Sequence, residues 1–120
     1  MADDWLFDTR TRRPADGVAV VTVVGEVDIA TVPPFRDALV PLSIDTEVQL
    51  LECDLSEVSF FGCAGVTVLL GARAALAARG ARLAVAAASH AVLRTLSVTG
   101  VADLLPVTCD GATRLGDAPG

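Results

Sequence analysis

Residues 48–88 read VQLLECDLSEVSFFGCAGVTVLLGARAALAARGARLAVAAA, and this stretch decides the fold. Val48 to Asp54 is rich in aliphatic residues and predicts a strand. Ser56 to Phe61 carries two aromatics and is predicted to be a loop or short turn. From Cys63 or Ala64 to Arg79 the pattern predicts a long apolar helix, with Gly80 as the residue that stops it. Arg82 to Ala88 predicts another strand. Strand, helix and strand in that order ask for a crossover connection, which places the chain in the α/β class.

The helix has two distinct sides. At about 100° per residue, Val66, Leu69, Leu70 and Leu76 share one stripe and are expected to face the sheet. Thr67, Gly71, Ala74 and Ala78 form a stripe of small residues that faces outward, where a solvated helix normally carries Glu, Lys or Gln. Either this is an Ala-rich helix with no further role, or it is a flat surface that a partner protein covers. Arg73 falls within the large-residue stripe, so it either snorkels past the sheet edge or marks a slightly different rotation.

Working outward, Trp5 to Arg12 predicts an edge strand and Pro14-Ala15-Asp16-Gly17 a turn. Val18 to Val24 is apolar on both faces, as expected of a central strand covered on both sides, and Gly25-Glu26-Val27-Asp28 breaks it. Thr31 is a candidate N-cap for a helix from Val32 to about Leu42, with Pro33 and Pro34 in its first turn. On the other side, Ser89 N-caps a helix from His90 to Thr99, stopped by Gly100. Ala102 to Leu105 predicts one turn and Pro106 to Cys109 a short last strand. Residues 1–109 are expected to form one domain, with 110–120 a loose tail.

Composition narrows the function. The chain has 120 residues, one domain's worth, and a formal net charge of −6, which argues against a nucleic-acid partner. It has one His, no Tyr and no Lys, so most acid–base constellations are out of reach. The three cysteines, Cys53, Cys63 and Cys109, are odd in number and show no Cys-x-x-Cys spacing, so neither a disulfide framework nor a zinc site is expected. Cys53 reads as core, and His90, alone at a helix start, as solvent-exposed. Glu26, Asp28, Glu52 and Asp54 cluster only if the second and third strands are neighbours, and read more simply as solvated or capping groups. The acidic start, Met1-Ala2-Asp3-Asp4, is unlike a signal peptide, and the uncharged run from Val58 to Ala72 is shorter than the roughly 20 residues that span a bilayer. These features predict a cytoplasmic chain with no membrane insertion, no metal and no cofactor.

Several pieces then fall in a telling order: Gly25-Glu26-Val27-Asp28, Asp54-Leu55-Ser56-x-x-Ser59-Phe60, Gly65 opening an apolar helix, and Ser89-x-x-Val92-x-Arg94-x-Leu96 ending in Thr99-Gly100. Together they resemble the STAS domain of bacterial anti-sigma factor antagonists, from about Trp5 to Val107. The resemblance implies a single α/β domain with a mixed sheet of about four to five strands and helices packed mainly on one face. It implies no catalytic activity. It implies a partner, an anti-sigma factor, often one with a serine kinase fold that phosphorylates a Ser or Thr of the antagonist and so breaks the complex.

The sequence departs from the family at that switch. Where the family reads Phe-x-Asp-Ser-Ser/Thr-Gly, this chain reads Phe60-Phe61-Gly62-Cys63-Ala64-Gly65. Gly62 stands in place of the Asp, Cys63 occupies the phosphoacceptor position, and Ala64 lacks the neighbouring hydroxyl. A serine kinase needs a hydroxyl nucleophile, so the usual switch is expected to be absent. Cys63 is either a redox-sensitive contact at a helix N-terminus or a small residue that fits. The resemblance marks Asp28, Thr31, Ser59, Gly62, Cys63 and Ala64, and the small-residue stripe adds Thr67 and Gly71, as the candidate partner-binding set. Asp28 and Thr31 have a simpler reading as a strand end and a helix cap. An alternative function within the same family is an accessory subunit of a transporter or sensory complex.

Overall fold

The computed structural model describes residues 7–105 and 107. Its elements run β1 (Phe7–Ala15), β2 (Val18–Val27), α1 (Val32–Ser43), β3 (Leu50–Phe61), α2 (Cys63–Ala77), β4 (Arg82–Ala88) and α3 (His90–Val98). The sheet order is β1-β2-β3-β4, with β1 antiparallel to β2 and the other two pairings parallel. The α/β class, the mixed four-stranded sheet and the crossover at 48–88 agree with the sequence expectation. The predicted pieces at Trp5–Leu6, Pro106, 108–109 and the tail 110–120 lie outside the described residues. Val107 makes a parallel bridge to Val85.

One core joins the helices to the sheet. Ala19, Val21 and Val23 of β2, Leu51, Cys53 and Leu55 of β3 and Leu83 and Val85 of β4 alternate inward, as the two-residue period of a strand requires. Phe35 and Leu39 of α1, Val66, Leu69 and Leu76 of α2, and Val92 and Leu96 of α3 complete the same cluster. Burying each Val, Leu or Phe side chain among these contributes about 1.5–3 kcal/mol. Phe35 and Phe61 meet edge to face, with centroids 6.1 Å apart and planes at 85°, and so tie α1 to the end of β3.

The structure corrects the sequence reading in several places. Ser56 to Phe61 is strand, not loop. Leu51, Cys53 and Leu55 point inward at steps of two, then Val58 and Phe61 at steps of three. The pairing with β2 shifts between Thr22↔Asp54 and Val24↔Glu57, and again between Gly25↔Val58 and Glu26↔Phe60. Each shift adds one residue to β3, so two bulges lengthen two inward steps from two residues to three. Strict alternation, the usual strand signal, is lost although the strand continues.

β2 likewise continues through the predicted break to Val27, because Gly25 takes φ 109, a conformation side chains rarely adopt. Its second face is less covered than expected: Val20 is buried, but Thr22 and Val24 are only half-buried. β1 runs on through Pro14 and Ala15, leaving Asp16-Gly17 as the turn. On α2, Thr67, Gly71, Ala74 and Ala78 are exposed as predicted. Ala72 joins the buried stripe, and Leu70 and Arg73 sit half-buried at its borders.

Candidate functional site

Because β2, β3 and β4 run parallel and each leads into a helix, the N-termini of α1, α2 and α3 gather at one end of the sheet. Loops at the carboxyl ends of parallel strands are the usual place for binding residues. The first loop is residues 28–31. Oδ1 of Asp28 accepts from the N–H groups of Ala30 (2.9 Å) and Thr31 (3.1 Å). The Thr31 hydroxyl donates to the Glu26 carbonyl at 2.8 Å and accepts from the Asp28 N–H at 2.9 Å. Both predicted site residues therefore shape the loop.

Thr31 stands at the N-cap position, but its side chain caps nothing, which overturns that expectation. A capping oxygen takes the N–H of the second or third helical residue. Here those residues are Pro33 and Pro34, which have none. The Asp28 carbonyl instead accepts from the N–H groups of Thr31 (3.1 Å) and Val32 (2.9 Å).

The second loop is almost nothing. Gly62 alone separates β3 from α2, and its N–H donates to the Val27 carbonyl at 2.9 Å, joining the ends of β2 and β3. Gly62 is the N-cap of α2 and supplies no capping side chain. Cys63 follows as the first helical residue, exposed and not disulfide-bonded. Gly65 is held by close packing: a Cβ there would sit 2.8 Å from Phe61 Cε1 and 2.9 Å from Val27 Cγ1. Both neighbours are buried, so the backbone of α2 lies directly on the Phe61 ring.

The third helix pins the bulged end of β3. The Ser89 hydroxyl donates to the Val58 carbonyl at 2.6 Å and accepts from the Val92 N–H, the predicted cap. The Thr95 hydroxyl donates to the Phe61 carbonyl at 2.7 Å. Sequence reasoning missed both contacts to β3. The only cue was a hydroxyl residue on the inner side of α3.

The predicted set is split rather than gathered. Asp28, Thr31, Gly62 and Cys63 belong to the end of the sheet. Ser59, the exposed bulge residue, lines a cavity of about 410 Å³ with Phe60, His90 and Arg94 on the α3 side. Ala64, Thr67 and Gly71 line a separate groove of about 510 Å³ between α1 and α2. Gly71 is eight residues along α2 from Cys63, about 12 Å down the helix. The far wall of that groove, Val32, Arg36, Val40 and Ile44, was not singled out in the sequence. Its signal is there: one residue every fourth position of α1, beside the core stripe of Phe35 and Leu39.

The other chemistry-bearing residues do not converge. Glu52 and Asp54 pair with Val20 and Thr22, whereas Glu26 pairs with Phe60 farther along the strands. Asp54 accepts from the Ser56 hydroxyl at 2.7 Å, a local bulge contact. Among the described residues, no three His, Cys, Asp or Glu groups are placed to hold a metal ion. Among the same residues, no helix is long and apolar enough to cross a membrane. Cys53 is fully buried in the core, and that burial pushes its thiol up to about 12, with the neighbouring Glu52 charge adding to the effect.

The described residues thus form a small mixed α/β sheet whose helix N-termini gather at one end, beside a bulged β3. The STAS domain profile matches residues 11–112, and the chain belongs to that family. It is 30% identical over 87 residues to an anti-sigma-B factor antagonist of Listeria monocytogenes, covering 72% of this chain and 75% of that one. Among solved structures, an anti-sigma factor antagonist from Mycobacterium paratuberculosis superposes with a TM-score of 0.73 at 29% identity, covering 84% of each chain. The anti-sigma factor antagonist SpoIIAA in its unphosphorylated form gives a TM-score of 0.72 at 17% identity, covering 94% of this chain and 100% of that one, a likeness of fold.

Proposed function

We propose that the chain is a non-enzymatic antagonist that docks on an anti-sigma factor through the sheet end carrying Asp28, Thr31, Gly62 and Cys63. The observation that carries this reading is the 30% identity, across 72% of the chain, to a protein named an anti-sigma-B factor antagonist. The exposed position of Cys63 at the start of α2 supports a docking role for this end, which the described residues leave open. We further propose that serine phosphorylation does not control the complex. The position the family resemblance assigns to the phosphoacceptor carries a thiol, and the neighbouring Ala64 has no hydroxyl. Thr67 points its hydroxyl back at the Cys63 carbonyl, 3.3 Å away. Titration calorimetry with a purified anti-sigma factor of the same bacterium tests the docking. A complex weakened by Cys63→Trp is expected. Binding unchanged by Cys63→Trp contradicts the assigned face.

A further inference from the structure

Resting on that docking reading, we infer that the groove between α1 and α2 seats a helix of the partner, apolar along one side and carrying an acidic side chain opposite Arg36. The groove measures about 510 Å³ and runs along α1 from Val32 to Ile44. Val40 and Ile44 stand 42% and 64% exposed on its rim, an apolar face that the described residues leave open. The opposite wall is flat: a Cβ added at Gly71 would meet nothing within 4 Å.

The polar groups of the groove select the occupant. The Ser43 hydroxyl is already spent on the Val40 carbonyl at 2.8 Å, and the Thr67 hydroxyl on the Cys63 carbonyl at 3.3 Å. An extended segment would enter with a row of backbone N–H and C=O groups, and these walls offer no free hydroxyl proton for its carbonyls and few acceptors for its N–H groups. A helix satisfies its own backbone and presents only side chains, which is how amphipathic helices lie in apolar grooves. The one charged lining residue is Arg36, for which no ion pair occurs among the described residues. A guanidinium at the edge of an apolar trough favours a carboxylate partner and discriminates against a basic one. The groove is also continuous with the docking end, since Ala64, in the first turn of α2, lines it.

The test uses a purified anti-sigma factor that binds the native chain. Arg36→Glu is expected to weaken binding about tenfold, and Gly71→Leu, which fills the groove, by more. Both variants are expected to keep a thermal midpoint at or near the native value, because both positions are exposed. A photo-crosslinking residue at Val40 should capture a helical partner segment containing Asp or Glu, and changing that acid to Arg should restore binding to Arg36→Glu. If Cys63→Trp weakens binding while Arg36→Glu and Gly71→Leu bind like the native chain, the groove inference fails and the docking reading stands. Capture of an extended or basic segment at Val40 also overturns the inference. Absence of binding by the native chain to the anti-sigma factors of its bacterium overturns both.

Discussion

Gly65→Ala tests whether close packing sets the start of α2. The added Cβ would lie 2.8 and 2.9 Å from Phe61 Cε1 and Cζ and 2.9 Å from Val27 Cγ1. Carbon atoms pack at about 3.5–4.0 Å, so the helix, the ring or the strand must give by most of an ångström. Phe61 and Val27 are buried, and Phe61 is held further by its edge contact with Phe35. Overpacking of this kind costs about 1–3 kcal/mol, and the rigidity of both neighbours puts this site in the upper part of that range. Ala is a better helix former than Gly by about 0.5–1 kcal/mol, which offsets part of it. The expected net loss is about 1.5–2 kcal/mol by urea unfolding, or a fall in thermal midpoint of roughly 6–8 °C for a domain this size. Phe61→Leu makes room, so the double variant should be more stable than the sum of the two single losses implies. A Gly65→Ala protein as stable as the native chain would refute the packing argument.

The Cys53 thiol gives a pH prediction. Its value is raised in the folded chain to about 12 from an ordinary 9.0, so its contribution is fully present below pH 9 and is lost as pH rises toward 12. Unfolding free energy should fall by about 1.4 kcal/mol per pH unit in that window, and Cys53→Val should flatten the slope, since the chain has no Tyr or Lys to titrate there; an unchanged slope contradicts it. Ser89→Ala removes both the cap of α3 and the bond to the Val58 carbonyl, and should cost about 1–2 kcal/mol in chemical denaturation. A loss below the noise of that measurement would mean the two bonds do not act together. Asp28→Asn keeps an oxygen for the Ala30 and Thr31 N–H groups and should stay within about 0.5 kcal/mol of native, whereas Asp28→Ala should lose about 1 kcal/mol. Equal losses would show that the charge, rather than the turn, holds the loop.

Most of the architecture was legible because hydrophobic period and helix stops carry it. The strand–helix–strand unit at 48–88, the glycines after α2 and α3, and the Ser89 cap read directly. The second half of β3 did not, because its bulges at Ser56 and near Ser59 stretch the inward period from two to three. Thr31 had the right residue type for a cap, but Pro33 and Pro34 take away the N–H groups it would serve. Gly62 and Cys63 were singled out through the resemblance alone, and they fall where β3 passes into α2. The groove was half visible: its α2 wall showed as a stripe of small residues. Its α1 wall follows a four-residue period that was there to be read, but that the two helices pair to form a groove is a tertiary fact that neither pattern states.

The central claim is that this chain docks on an anti-sigma factor without a phosphorylation switch. The most direct measurement mixes the native chain with a purified kinase-fold anti-sigma factor of its bacterium and ATP. Complex formation and the intact mass of the chain are then followed together. The account predicts a complex that persists with ATP present and a chain of unchanged mass. Failure to form a complex, or a phosphoryl group appearing on Ser59 or Thr67 as the complex dissociates, would contradict it.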